Sequence, residues 1–88
     1  MMPKNEIHIG NLIKDTLKKD GLSKRRLAAK MDCSRSNVYK ILDKPSIDTA
    51  LLQRISLALK KNFFADLAEF CQNRLDEMEN AKMQTAEN

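Results

Sequence analysis

The side chains with the most chemistry to offer lie in one short stretch, "CSRSNVYKIL", Cys33 to Leu42. Val38, Ile41 and Leu42 recur at helical spacing, which marks them as an inner face. The angles of a 3.6-residue helix then put Ser36 and Lys40 on the opposite side, with Arg35 and Tyr39 flanking them and Asn37 beside. Such a face is either plainly solvated, the usual fate of polar helix positions, or a surface that hydrogen-bonds to a polar, anionic partner. Arg and Lys suit guanine N7 and O6, Asn suits adenine, and Ser serves most bases. Tyr39 has the reach to meet a phosphate or pack on a sugar edge.

Other chemistries are poorly supplied. His8 is the single histidine, and no nucleophile–base–orienter set forms around it. Cys33 and Cys71 stand 38 positions apart with no CxxC, so neither a zinc site nor another cofactor is expected. They read as two reduced thiols of a cytoplasmic protein. No Gly-rich phosphate loop is present. An enzyme is not expected.

The elements that must position the polar face follow from the apolar pattern. Ile9, Leu12, Ile13 and Leu17 predict a first helix from about Ile7 to Lys19, ended by Asp20-Gly21 with Gly21 as a left-handed C-cap. Ser23 caps a second helix, Lys24 to Met31, whose inner stripe is Leu27, Ala28 and Met31. After Asp32-Cys33, Ser34 caps a third helix from Arg35 to about Asp43, stopped by Lys44-Pro45. Ser46 or Asp48 caps a fourth, with the stripe Leu51, Leu52, Ile55, Ala58 and Leu59. Lys60-Lys61-Asn62 forms its C-terminal turn. A fifth helix starts near Phe63 and runs to about Met83, and the last five residues, 84–88, are expected to fray. No strand alternation or internal repeat is visible.

With 88 residues and 42% hydrophobic content, the chain has enough for one modest core. Its apolar runs are far shorter than the ~18 residues of a membrane span. The N-terminal "MMPKNEIHIG" lacks the apolar core of a signal peptide. A soluble cytoplasmic protein is therefore expected. Charge is unevenly placed. Lys14 to Lys44 holds ten Lys/Arg against four Asp/Glu, a net of +6, whereas Phe64 to Asn88 holds two against six, a net of −4. A basic body with an acidic tail fits nucleic-acid binding by the first part only.

The short link between the second and third helices, about three residues, matches the sharp turn of a helix-turn-helix. "LSKRRLAAKMDCSRSNVYKIL" followed by "PSIDTALLQRISLAL" resembles the lambda-repressor-like, Cro/XRE-type DNA-binding family, over roughly Ile9 to Phe64. One departure is Asp32, where the family most often has Gly. Asp is among the residues that tolerate a left-handed backbone. The pattern gives an all-α chain of five helices, and the resemblance implies a lambda-repressor-like helix-turn-helix DNA-binding domain (residues 1–64) extended by an acidic C-terminal helix and tail (65–88). It implies that the outer face of the third helix lies in the major groove. The base-reading candidates are then Arg35, Ser36, Asn37, Tyr39 and Lys40.

The second helix opens with Lys24-Arg25-Arg26, where the helix dipole makes each cation unfavourable by a few tenths of a kcal/mol. An anion would reverse that sign, because cations and free N–H groups at a helix N-terminus suit phosphate. The phosphate-binding candidates are Ser23, Lys24, Arg25, Ser34 and Lys44. In the fifth helix, Phe64, Ala68, Cys71, Leu75 and Met78 form a heptad-like seam. The first two have the domain's own core to pack on. Cys71, Leu75 and Met78 lie too far along it and are assigned to a homodimer interface. The expectation is a sequence-specific transcriptional regulator binding double-stranded DNA. The alternative is an antitoxin-like or adaptor module whose C-terminal helix binds a protein partner.

Overall fold

The computed structural model describes residues 6–86, with side chains described through residue 81. Among these residues the chain is all-α, with five helices and no strands: α1 (Ile9–Asp20), α2 (Lys24–Met31), α3 (Arg35–Asp43), α4 (Thr49–Leu59) and α5 (Phe63–Ala86). No helix among them is long and apolar enough to cross a membrane.

Most boundaries fall where the capping residues put them. Ser23, Ser34 and Asp48 each accept a hydrogen bond from a backbone N–H three residues on, those of Arg26, Asn37 and Leu51. Of the two candidate caps for α4, Asp48 serves. α1 begins two residues later than its apolar pattern implies, because His8 is its N-cap and accepts from the Asn11 N–H through Nδ1 at 3.0 Å. Ile7 lies outside the helix, half-buried against the core.

Three helices end on left-handed residues: Gly21, Asp32 and Lys60. In each case the next N–H reaches back to a carbonyl five residues earlier. Leu22 bonds to Leu17 at 2.8 Å, Cys33 to Ala28 at 3.0 Å and Lys61 to Ser56 at 3.0 Å. Lys44, before Pro45, is extended and ends α3.

The core is one cluster: Ile9, Ile13 and Leu17 from α1, Leu27, Ala28 and Met31 from α2, Val38, Ile41 and Leu42 from α3, Leu52, Ile55 and Leu59 from α4, and Phe63. α3 packs against α1 and α2, α2 also against α4, and α5 against α4. The start of α1 is also tied to the end of α3, because the Ile9 and Gly10 N–H groups donate to the Pro45 and Lys44 carbonyls, both at 2.9 Å. Those carbonyls thereby satisfy two of the donors a helix N-terminus leaves open.

α5 departs from expectation in phase and in length. Phe63, not Phe64, is its deep anchor and is fully buried, with Phe64 and Leu67 packed partly against the core. Ala68, expected on the core, is exposed. The cause is the tight Lys60 turn. It leaves the Phe63 N–H at the buried Ser56, whose Oγ donates to the Leu52 carbonyl at 2.8 Å and accepts from Phe63 at 3.4 Å. α5 also passes Met83 and includes residues 84–86, since nothing there breaks a helix; residues 87 and 88 of the segment expected to fray lie outside the described residues. Phe70 and Arg74 are still half-buried, residues 75–81 are all exposed, and the molecule measures 57 × 27 × 23 Å.

Candidate nucleic-acid interface

The polar face of α3 is held from beneath by three buried side chains. Val38, Ile41 and Leu42 lock into the core, which fixes the rotation of the helix. Arg35, Ser36, Asn37, Tyr39 and Lys40 are consequently all exposed, as their spacing required. The Ser34 hydroxyl caps the helix and lies 3.2 Å from the Ser36 hydroxyl. Ser34 is thus committed as an acceptor to the Asn37 N–H, while a hydroxyl proton remains to donate outward. Asp43 is exposed a turn beyond Tyr39 and sets a carboxylate between Lys40 and Lys44 in the chain.

The turn that aims α3 is built on Asp32, with φ 55° and ψ 48°. Its N–H and that of Cys33 close the end of α2 onto Ala29 and Ala28. Arg54 of α4 supports the same point, since its Nη2 donates to the Met31 carbonyl at 3.1 Å. α2, the turn and α4 are therefore joined by hydrogen bonds as well as by packing.

The N-terminus of α2 meets the polar face of α3 directly. Lys24 Nζ stands 5.0 Å from the centroid of the Tyr39 ring. An ammonium over an aromatic face gains about 0.5–1 kcal/mol at an exposed site, which offsets its unfavourable place at a helix N-terminus. The contact brings a phosphate-binding candidate and a base-reading candidate side by side. Arg25 and Arg26 are exposed in the same turn. Ser23 is the cap of α2 and keeps a hydroxyl proton to donate. Lys44 is exposed at the far end of α3, and its carbonyl is engaged by Gly10.

Two groups of cations join this surface that inspection of the motif alone did not single out. Lys14 and Lys18 of α1 line one shallow depression together with Lys24, Leu22 and Ser23. Their four-residue spacing, which puts two lysines on one face of α1, was the available signal. Arg54 lines a second depression with Asn37, Lys40 and Lys44. Nothing local announces Arg54; only the packing of α4 on α2 brings it there. The first depression thus holds Lys14, Lys18 and Lys24 with Asp15 among them, and the second Lys40, Lys44 and Arg54. Cations with neutral donors and acceptors between them have the chemistry to bind a polyanion.

The remaining candidates, Cys71, Leu75 and Met78, are exposed on α5, Leu75 at 56% and Met78 at 58%. Among the described residues no three His, Cys, Asp or Glu side chains gather into a metal-binding group. No protein-family model, curated protein or solved structure matches the chain.

Proposed function

We propose that this protein is a sequence-specific, double-stranded DNA-binding transcriptional regulator of lambda-repressor-like fold, acting in the cytoplasm as a homodimer. α2 and α3 are its helix-turn-helix, and α3 is the recognition helix. The observation that carries this reading is the pairing of two surfaces at one place. The N-terminus of α2, rich in cations and backbone donors, abuts an exposed α3 face of Arg35, Ser36, Asn37, Tyr39 and Lys40, and Lys24 touches Tyr39. Phosphate contacts fix register, and base-edge contacts specify sequence. Lys24, Arg25, Ser23, Ser34 and Lys44 serve the first role, and the α3 face serves the second.

One recognition helix reads one short half-site, which is thin for specific binding in a genome. A two-fold pair supplies a second, and two such helices about 34 Å apart would meet successive major grooves. The exposed Leu75 and Met78 of α5 are where that pairing is assigned. The same exposure favours a second reading, an antitoxin-like or adaptor module that docks another protein on α5. Selection of binding sites from a pool of random duplex DNA separates the two. Enrichment of an inverted repeat is the expected result; no enrichment of any sequence at low salt would reject the DNA-binding reading.

A further inference from the structure

Arg54 stands outside the helix-turn-helix, yet its guanidinium lies beside α3. We infer that Arg54 holds a backbone phosphate of the DNA strand opposite to the one met by Lys24, so that the two strands bordering the major groove are gripped from two separate helices. This rests on the DNA-binding reading and deepens it, by naming what binds where α2, α3 and α4 meet.

Arg54 reaches from α4 to the end of α2, where its Nη2 donates to the Met31 carbonyl at 3.1 Å. That bond alone makes a sound cap, since a cation suits a helix C-terminus. It leaves the other guanidinium donors over. Arg54 is exposed, and among the described residues no carboxylate pairs with it. The depression it lines holds Asn37, Lys40 and Lys44 and no acid. Two carboxylates lie near in the chain. Asp48 is engaged as the cap of α4 by the Leu51 N–H, and Asp43 follows Tyr39 by one turn, around α3 from this depression. Cations gathered without a counter-charge repel one another, so folding gains nothing from placing them together. An anion seated among them reverses that sign. A planar guanidinium already fixed by one bond loses little freedom when it takes a phosphate.

The place of the depression on α3 identifies the anion. A 3.6-residue helix carries Asn37, Ile41 and Lys44 along one edge and Arg35 and Tyr39 along the other, with Ser36 and Lys40 on the crest between. Arg54 stands at the first edge, and Lys24, 5.0 Å from the Tyr39 ring centroid, stands at the second. A helix is about 10–12 Å across and the major groove about 12 Å wide. A helix seated in that groove therefore has a sugar–phosphate backbone along each edge. Lys24 meets one, and Arg54 with Lys44 meets the other. Contacts of this kind fix the position of the helix and carry no sequence information themselves.

Two substitutions separate a phosphate contact from support of the turn. The Arg54→Gln amide can still donate toward the Met31 carbonyl but has no charge, whereas Arg54→Lys keeps the charge. Affinity for a fluorescent random-sequence duplex is measured over a series of salt concentrations, with thermal unfolding of each variant alongside. Arg54→Gln should bind more weakly, with a log–log salt slope flatter by about one, and Arg54→Lys should keep the wild-type slope. Combining Arg54→Gln with Lys24→Ala should flatten the slope by about two. An unchanged slope in Arg54→Gln, whatever its Tm, would leave Arg54 as a support of the turn and overturn the inference. Ethylation of single phosphates, on the site enriched from the random pool, assigns the strands without relying on any variant. With the wild-type protein, ethylation on both strands bordering each half-site should interfere with binding. Arg54→Gln should become indifferent to it on one strand and Lys24→Ala on the other. Interference on one strand only, or loss on the same strand in both variants, would overturn the two-strand grip. No duplex binding by the wild type at low salt would overturn the DNA-binding reading and this inference with it. Wild-type binding that Arg54→Gln leaves intact would overturn this inference alone.

Discussion

Gly10 has no room for a methyl group. A Cβ there would collide with the Leu42 carbonyl and stand 2.9 Å from the Lys44 oxygen, all of it backbone that cannot swing aside. The contact exists because the first N–H groups of α1 bond to the carbonyls that end α3. Gly10→Ala should therefore destabilise the protein by about 2–3 kcal/mol, in the range of overpacking a tight site. The midpoint of urea unfolding should fall with its slope unchanged. Asp32 presents the opposite case. At φ 55° it holds a left-handed conformation that costs an L-residue about 1–2 kcal/mol; Gly relieves that cost, and its greater freedom when unfolded cancels part of the gain. Asp32→Gly should gain about 0.5–1 kcal/mol, read as a rise of a few degrees in Tm. An unchanged or lowered Tm would mean that the Asp32 side chain contributes something its exposed position does not reveal.

At the scale of elements, α3 is the claim most open to mutation. Arg35→Ala or Lys40→Ala should cost roughly 1–3 kcal/mol on a preferred site and relax base choice at one position. Stability should hardly change, because both side chains face outward while Val38, Ile41 and Leu42 carry the packing. If either substitution unfolds the protein, or leaves site preference intact, the outer face of α3 is not the reading surface. How legible each element was in the sequence follows from the range of its determinants. α2 and α3 are bounded by Ser23, Asp32, Ser34 and Pro45, each acting within a few residues of its own position, so their limits and facing could be read directly. The phase of α5 cannot be read from periodicity, because two phenylalanines stand together at its start and the pattern favours neither. The choice is made by Lys60 turning the chain back and by Ser56 meeting the Phe63 N–H, both consequences of packing on α4. The closeness of Gly10 to Leu42 and the reach of Arg54 to the end of α2 are likewise contacts across more than twenty residues, and no local pattern records them. His8 carries no cap signal in the sequence, because serine, threonine and the Asx residues are the favoured types at that position.

On the proposed function the whole molecule separates two tasks. The body carries exposed cations on α1, α2, α3 and α4, while α5 carries Asp66, Glu69, Asp76, Glu77 and Glu79. On this account α5 pairs copies, and the acids on it keep it from the phosphates. Replacing Leu75 and Met78 together by Glu should give a folded monomer that binds DNA weakly and with little preference. Light scattering reads the mass and a mobility shift reads the loss; a double variant that stays dimeric would place the interface elsewhere. Polyanion capture by the body is the central claim, and its signature is the response to salt. A fluorescent duplex should be titrated with the wild type and with Lys24→Ala, at a series of salt concentrations. The account predicts wild-type affinity falling linearly on a log–log plot, with a slope of about −0.9 for each phosphate neutralised. For Lys24→Ala it predicts weaker binding to all sequences alike and a slope flatter by about one. Binding that ignores salt, or no duplex binding even at low salt, would contradict it.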